Sequence, residues 1–308
     1  MADLAVTVPP QSGHPAEPGV TSSGTSAVAE PLPARRRVSA RLIGRYLVMV
    51  LCAVVMIGPF VWMVFAALKT DADIRAVPPT LIPDPVTGEN FSRVTDAFDF
   101  WRFTANSIGI AIASTVLQLV TATCAAYAFA RMEFRGRSAL FGLYLATMMI
   151  PLQVVIVPLF IEMRHLGLVD SYAGLLLPTI VSSFGTFLMR QAFLALPREL
   201  DEAAFIDGAN HFQVFSKILL PLVKPALATF AVFAFMATWN SFLWPLVITQ
   251  ASDRHVTLPV GLARLNGRFG TDWNVVMAGS VISVVPIVAF YAFTQRWVIR
   301  SVAFTGMK

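Results

Sequence analysis

The sequence predicts an all-α integral membrane protein with six transmembrane helices, and three observations carry that expectation. The 308 residues are 56% hydrophobic and 13% charged, with a mean hydropathy of +0.68, too apolar for an ordinary soluble domain. Six windows run nearly free of charge for about 20 or more residues, the length that crosses ~30 Å of hydrocarbon. They fall at 45–68, 104–130, 138–161, 174–194, 225–249 and 276–298. Finally, threading these windows through a bilayer puts 15 of the 23 Lys and Arg residues on the side of the N-terminal tail and 8 on the other. Positive charge stays inside, so both termini are expected in the cytoplasm.

The first 40 residues are rich in Pro, Gly, Ser and Ala and lack apolar periodicity. Such a stretch cannot offset its ordering entropy, and it is expected to be a disordered cytoplasmic tail rather than a signal peptide. The permease-sized remainder, 41–308, forms the second predicted domain. Arg35, Arg36, Arg37, Arg41 and Arg45 abut the first window, which makes the net charge of +5 a topological signal. No basic stripe is interleaved with stacking aromatics, so nucleic acid is not an expected partner, whereas membrane lipid is.

The 69–103 loop, with its run of prolines, is expected outside, re-entering the membrane through interfacial Phe100, Trp101 and Phe103. Residues 131–137 make a tight inner turn at Gly136. Gly58–Pro59, Pro151, Pro158, Pro178, Pro245 and Pro286 mark expected bends within the spans. Cys52 and Cys124 fall inside windows, where core packing rather than a disulfide is expected.

One stretch breaks the pattern. "DEAAFIDGANHFQVFSKILLP", residues 201–221, is polar and lies in a predicted cytoplasmic segment, 195–224. Pro197 suits a first helical position, and Glu199, Asp201 and Glu202 suit the positive end of a helix dipole. Gly208 would end that helix, and Asn210 with Gln213 would cap a second one. Phe212, Phe215, Ile218 and Leu219 would share that helix's apolar face until Pro221 stops it. Ala203 and Ala204 would keep the outer surface thin. By itself the pattern fits a docking corner for another protein or an amphipathic loop on the headgroups.

Glu202–Ala203–Ala204, three residues, Gly208, nine residues, then Ile218, Leu220 and Pro221 resemble the signature of ABC-importer permease subunits. The chain from 41 to 308 is similar to the maltose-type, carbohydrate-uptake group, specifically its six-span second permease, also through 106–115, 125–137, 184–209, 237–246 and 257–263. The resemblance implies a coupling helix between helices 4 and 5. Glu202, Ala203, Ala204, Asp207, Gly208, Ile218, Leu220 and Pro221 would couple it to a cytoplasmic ATPase. Also implied are a second, homologous permease forming a heterodimer, two ATPase subunits, an extracytoplasmic solute-binding protein, and a bacterial or archaeal plasma (inner) membrane. The expected cargo is a sugar or oligosaccharide, with a glycerol phosphate derivative as the alternative.

The chain itself is not expected to be an enzyme or to bind a cofactor. It has no Gly-Lys dipeptide, hence no phosphate-cradling P-loop. ATP and Mg are expected to be used by the partner ATPase. His14, His165, His211 and His255 lack metal-ligand spacing. An ion-coupled carrier would want ionisable groups at mid-membrane, whereas charges here sit near the ends of the windows. For a solute pathway the candidates are Gln118, Ser182, Ser183, Thr186, Trp239 and Asn240, with Ser241 beside them. Helix glue and interfacial anchoring explain the same residue types.

Overall fold

In a computed structural model of the protein, the backbone is described at residues 40–267 and 270–305 and the side chains at 44–265 and 271–295. Most of the predicted tail, with Arg35 to Arg37, lies outside the described residues. Packing divides the chain after Ala53. The first unit supplies the start of helix α1 (Ala40–Ala67), with residues 44–53 exposed. All that follows concerns the second unit.

Helix is what lipid demands, because hydrocarbon offers no partner to an unpaired peptide group. After α1 come two connecting helices, α2 (Asp71–Ile74) and α3 (Glu89–Ala97), and then the 32-residue α4 (Phe100–Arg131). Two bent pairs follow. The helix α5 (Arg137–Ala146) runs into a 3-10 turn at Thr147–Met149, and α6 (Leu152–His165) leaves it at 98°. The short α7 (Tyr172–Leu176), a 3-10 turn at Leu177–Thr179 and α8 (Ser183–Leu194) bend by 45°. The next segment holds α9 (Glu199–Ile206), α10 (His211–Gln213), a π-turn at Val214–Leu219 and α11 (Leu220–Leu222). After an 80° bend come α12 (Lys224–Trp239), α13 (Leu243–Ile248) and α14 (Leu258–Ala263). A two-residue antiparallel pair, β1 (Asn266–Gly267) with β2 (Gly270–Thr271), precedes the final α15 (Trp273–Thr305).

Three of these helices are singly long and apolar enough to cross a membrane, and three bent pairs are so jointly. The window at 225–249 is corrected: α12 stops at Trp239 and the chain breaks at 240–242 before α13. The proline expectation is corrected too. Pro59, Pro158 and Pro286 sit inside helices that run on, and Pro245 lies within α13. Pro151 does mark a break, because Ile150 before it is forced into extended backbone.

The core is organised around α4. Ala111, Thr115, Gln118, Ala122, Ala126 and Ala130 form one inward stripe of mostly small residues, all buried. Small residues let backbones approach closely, which is the main way helices associate where no hydrophobic effect separates lipid from protein. Met189 and Phe193 of α8 and Phe230 and Ala234 of α12 pack on the cytoplasm-ward half of that stripe by the predicted topology. Phe235 stacks on Phe290 of α15 at 4.2 Å, beside Trp239. Phe100 and Phe103 are buried, contrary to the interfacial expectation, and only Trp101 between them is exposed. Three-residue spacing turns the two phenylalanines onto the core face together. Cys52 and Cys124 are free and exposed rather than packed in the core. A lipid-facing surface is as apolar as a core, so a small thiol fits either.

The connection from α1 is latched by amides. Asn90 donates to the carbonyls of Ala67 and Lys69, each at 2.8 Å, and Asn274 donates to Asn90 Oδ1 at 2.9 Å and Asp71 Oδ1 at 2.6 Å. Carbonyls orphaned at the end of α1 thus find donors. Asp71 is held below the usual carboxylate range, first by Asn274 and then by Arg93.

At Gly185 the helices α8 and α12 meet so closely that any Cβ would overlap the Phe230 ring. Gly185→Ala is therefore expected to lower stability by about 1–3 kcal/mol, read as an earlier melting transition in detergent, and Phe230→Leu should restore part of it. Gly142→Ala, with open space around it, should change little.

Candidate functional site

The segment between α8 and α12 folds into a rigid elbow. Helix α9 starts at Glu199 with Arg198 as its cap, so Pro197 lies just outside the helix rather than at its first position. The acidic first turn (Glu199, Asp201, Glu202) complements the helix dipole. Gly208 ends α9 at φ +82°, the left-handed backbone that side chains resist. Its N–H donates to Phe205 O at 3.0 Å and that of Ala209 to Ala204 O at 2.9 Å, closing the pair of bonds that ends a helix on glycine. Two residues on, Asn210 and Gln213 form the expected capping box, with bonds of 2.9 and 2.8 Å.

Beyond the box the structure departs from expectation. The second helix widens into the π-turn, where Leu220 N–H donates to Phe215 O five residues back. Widening brings Val214 and Leu219 onto the buried side, while Phe212 is turned out, 74% exposed. Ile218 and Leu220 are half-buried against the core, and Pro221 is carried inside α11 instead of stopping it; the chain turns at Val223. Ala204 also differs from expectation. It is buried against the core, and Ala203 alone of the two alanines faces out.

The elbow therefore has two faces. Inward lie Asp201, Ala204, Val214 and Leu219. Outward lie Glu202, Ala203, Phe205, Ile206, Asp207, Gly208 and Phe212, an acidic rim around apolar groups of which Ile206 is 86% exposed. A buried ion pair fixes the inner face: Arg131 Nη1 at the end of α4 lies 3.1 Å from Asp201 Oδ2. Burial pushes the Asp201 carboxyl above its ordinary pKa, and the neighbouring Arg131 pulls it back only in part. Arg131 Nη2 also donates to Phe193 O at 2.8 Å and Leu196 O at 2.9 Å, the carbonyls at the end of α8. Sequence reasoning passed over this pair, although its signal was present. Arg131 follows a charge-free window at once, and Asp201 stands three residues before Ala204 on one helical face.

The pathway candidates separate into two groups. Thr186 is fully buried, bonded to Ser182 O and Tyr144 Oη, and Trp239 is buried with its indole N–H donating to Ser283 O at 3.1 Å. Gln118 donates to Ser114 Oγ at 2.8 Å, within a node where Ser114 also meets Thr179 at 2.9 Å and Thr238 at 3.1 Å. These three serve helix packing. Ser182, Ser183 and Asn240 instead sit at breaks: Ser182 caps α8 by accepting from Gly185 N, Ser183 meets Thr147 at 2.9 Å, and Asn240 is exposed after α12.

Residues 118–304 match the family described as the binding-protein-dependent transport system inner membrane component. The chain belongs to this family. It is 38% identical over 259 residues to the arabinooligosaccharides transport system permease protein AraQ of Halalkalibacterium halodurans, covering 83% of this chain and 92% of that one. With the sn-glycerol-3-phosphate transport system permease protein UgpE of Yersinia enterocolitica it shares 37% over 243 residues, 76% of this chain and 86% of the relative. Among solved structures, a chain of a bacterial ABC transporter involved in the import of the acidic polysaccharide alginate superposes with a TM-score of 0.72 at 26% identity, over 87% of this chain and 99% of that one. The fold is accordingly the all-helical membrane fold of ABC-importer permeases, and the chain is a transporter component, consistent with the absence of a P-loop in its sequence.

Within this permease the stiffness of the elbow rests on Gly208 and the capping box. Gly208→Ala and Asn210→Ala should each cost it about 1 kcal/mol, seen as faster amide exchange across 204–213. Unaltered exchange in both variants would contradict the capping described.

Proposed function

We propose that this permease forms half of the translocation pathway of an ATP-driven importer for a sugar or oligosaccharide. The observation that carries the reading is the two-faced elbow on a chain of this family. Its inner side is clamped to α4 and α8, and its outer side offers Phe205, Ile206 and Phe212 between Glu202 and Asp207. A stiff corner with an unpartnered apolar centre and an acidic rim suits a groove on a cytoplasmic ATPase, because apolar anchors give affinity and rim charges give register. In this reading Glu202, Ala203, Asp207 and Gly208 face the ATPase, while Ala204, Ile218, Leu220 and Pro221 hold the corner's shape.

The bent pairs count as single spans, which gives six, with residues 41–308 as the permease domain. The 1–40 tail, the C-terminus and the elbow lie on the cytoplasmic side of a bacterial plasma membrane. The excess of Lys and Arg in those segments supports this orientation. The full assembly adds a second permease, two ATPase subunits that use ATP and Mg, and an extracytoplasmic solute-binding protein, while this chain binds no nucleotide. Solute passes along the helix breaks, where Ser182, Ser183 and Asn240 offer polar groups. The AraQ relative favours an oligosaccharide, and the UgpE relative supports a glycerol phosphate derivative as second choice. Identifying the ligand of the binding protein encoded for the same system decides between them.

Ile206→Asp removes the exposed centre of the elbow without touching the core. It should cost about 2 kcal/mol of docking and abolish co-purification of the ATPase while the permease still reaches the membrane. Normal recovery of the ATPase would contradict docking at this face.

A further inference from the structure

The elbow makes many apolar contacts with the bundle, but only one of its buried contacts is both charged and multidentate. The Arg131 guanidinium, whose side chain is 5% exposed, pairs with Asp201 of α9 and at the same time holds the Phe193 and Leu196 carbonyls at the end of α8. One planar group therefore ties three elements together at fixed separations, which a lysine on a flexible stem could not do. The other contacts of the elbow are of different kinds. Ala204, Val214 and Leu219 pack on the core without directional bonds, and the Arg198–Glu133 pair is exposed and 3.8 Å apart.

The pair is poorly arranged if its purpose were stability alone. Asp201 Oδ1 and Arg131 Nε are buried without partners, and two apolar residues of similar volume would often be as stable or more so. What an ion pair in such a place does supply is an all-or-none connection. Parting the charges leaves each desolvated and alone, so the elbow cannot slide by part of an ångström against α4 as an apolar contact can. Glu202, the neighbouring carboxylate that the family signature singles out, is exposed and cannot do this.

We infer that Arg131 and Asp201 join the elbow to α4 as one rigid body, so that displacement of α9 becomes displacement of α4. Asp201 is then a positioning residue for coupling. This inference rests on the elbow being the docking face of the ATPase. Since α4 is the post on which α8 and α12 pack, motion delivered at its end reaches the breaks at 180–182 and 240–242 through the Ser114–Thr179 and Ser114–Thr238 contacts.

The test uses the full-length permease assembled with its partner permease and ATPase in nanodiscs, with Cys52 and Cys124 replaced by alanine. Spin labels at Glu199→Cys on α9 and Val120→Cys on α4, both exposed positions, report the distance between elbow and post with and without MgATP. The intact pair should give one narrow distribution that MgATP does not shift. Asp201→Asn should at least double its width and make it differ between nucleotide states, while the ATPase still co-purifies. The double variant Arg131→Met with Asp201→Leu removes both charges and leaves no lone one, so it guards against a single variant that fails to fold; it should broaden the distribution likewise. A distribution as narrow in the double variant as in the parent would overturn the inference. Loss of the ATPase from the unmutated complex would instead overturn the docking reading on which it rests.

Discussion

A peptide group in hydrocarbon has no water to turn to, and each departure from regular helix in this chain is met by a partner from within. Where α7 gives way to α8, Thr121 of α4 donates to Ile180 O at 2.6 Å and Ser182 accepts from Gly185 N. At the end of α5, Thr147 donates to Tyr144 O at 2.6 Å and meets Ser183 across the next break. After α12, Asn240 returns its side-chain amide to Met236 O at 2.9 Å. The helix breaks are thus stitched to one another and to α4, and they lie in the bundle rather than against lipid, which is the condition for irregular backbone in a membrane.

That condition also explains why α4 is the post. Its small residues admit α8 and α12 closely enough for hydroxyl groups to span the gap, and its last residue, Arg131, extends the same service to the elbow outside. Inside the spans neutral hydroxyls suffice. At the membrane boundary the same task falls to a charge pair, where desolvation is incomplete and an ion pair is tolerable. The elbow inherits its stiffness from a glycine in left-handed backbone, a capping box and a buried charge, three devices that cost conformational freedom in advance. A docking surface ordered before its partner arrives loses little on binding and passes motion on without yielding.

Much of this was legible in the residues. Charge-free length marked the single-helix spans, because hydropathy is a sum over many positions and tolerates local irregularity. Gly208, Asn210 and Gln213 declared the elbow, because caps are local chemistry that reads from neighbours in sequence. What did not read out was set by tertiary context. The π-turn that exposes Phe212 has no sequence mark distinct from an α-helix, and the face of Ala204 depends on where α4 happens to lie. Prolines proved poor markers of bends for the same reason: Pro59, Pro158 and Pro286 stay within continuous helices, while the 80° turn at Val223 precedes a proline that merely opens α12. Trp239 and Thr186 looked like solute contacts by type, and both are engaged in packing.

The central claim is that the elbow faces the cytoplasm, on the same side as the tail, where an ATPase can reach it. A single cysteine at Ala203, in a chain freed of Cys52 and Cys124, can be offered a membrane-impermeant maleimide in right-side-out and inverted vesicles. The account predicts labelling in inverted vesicles alone. Labelling of residue 203 from the outside of sealed right-side-out vesicles would contradict it.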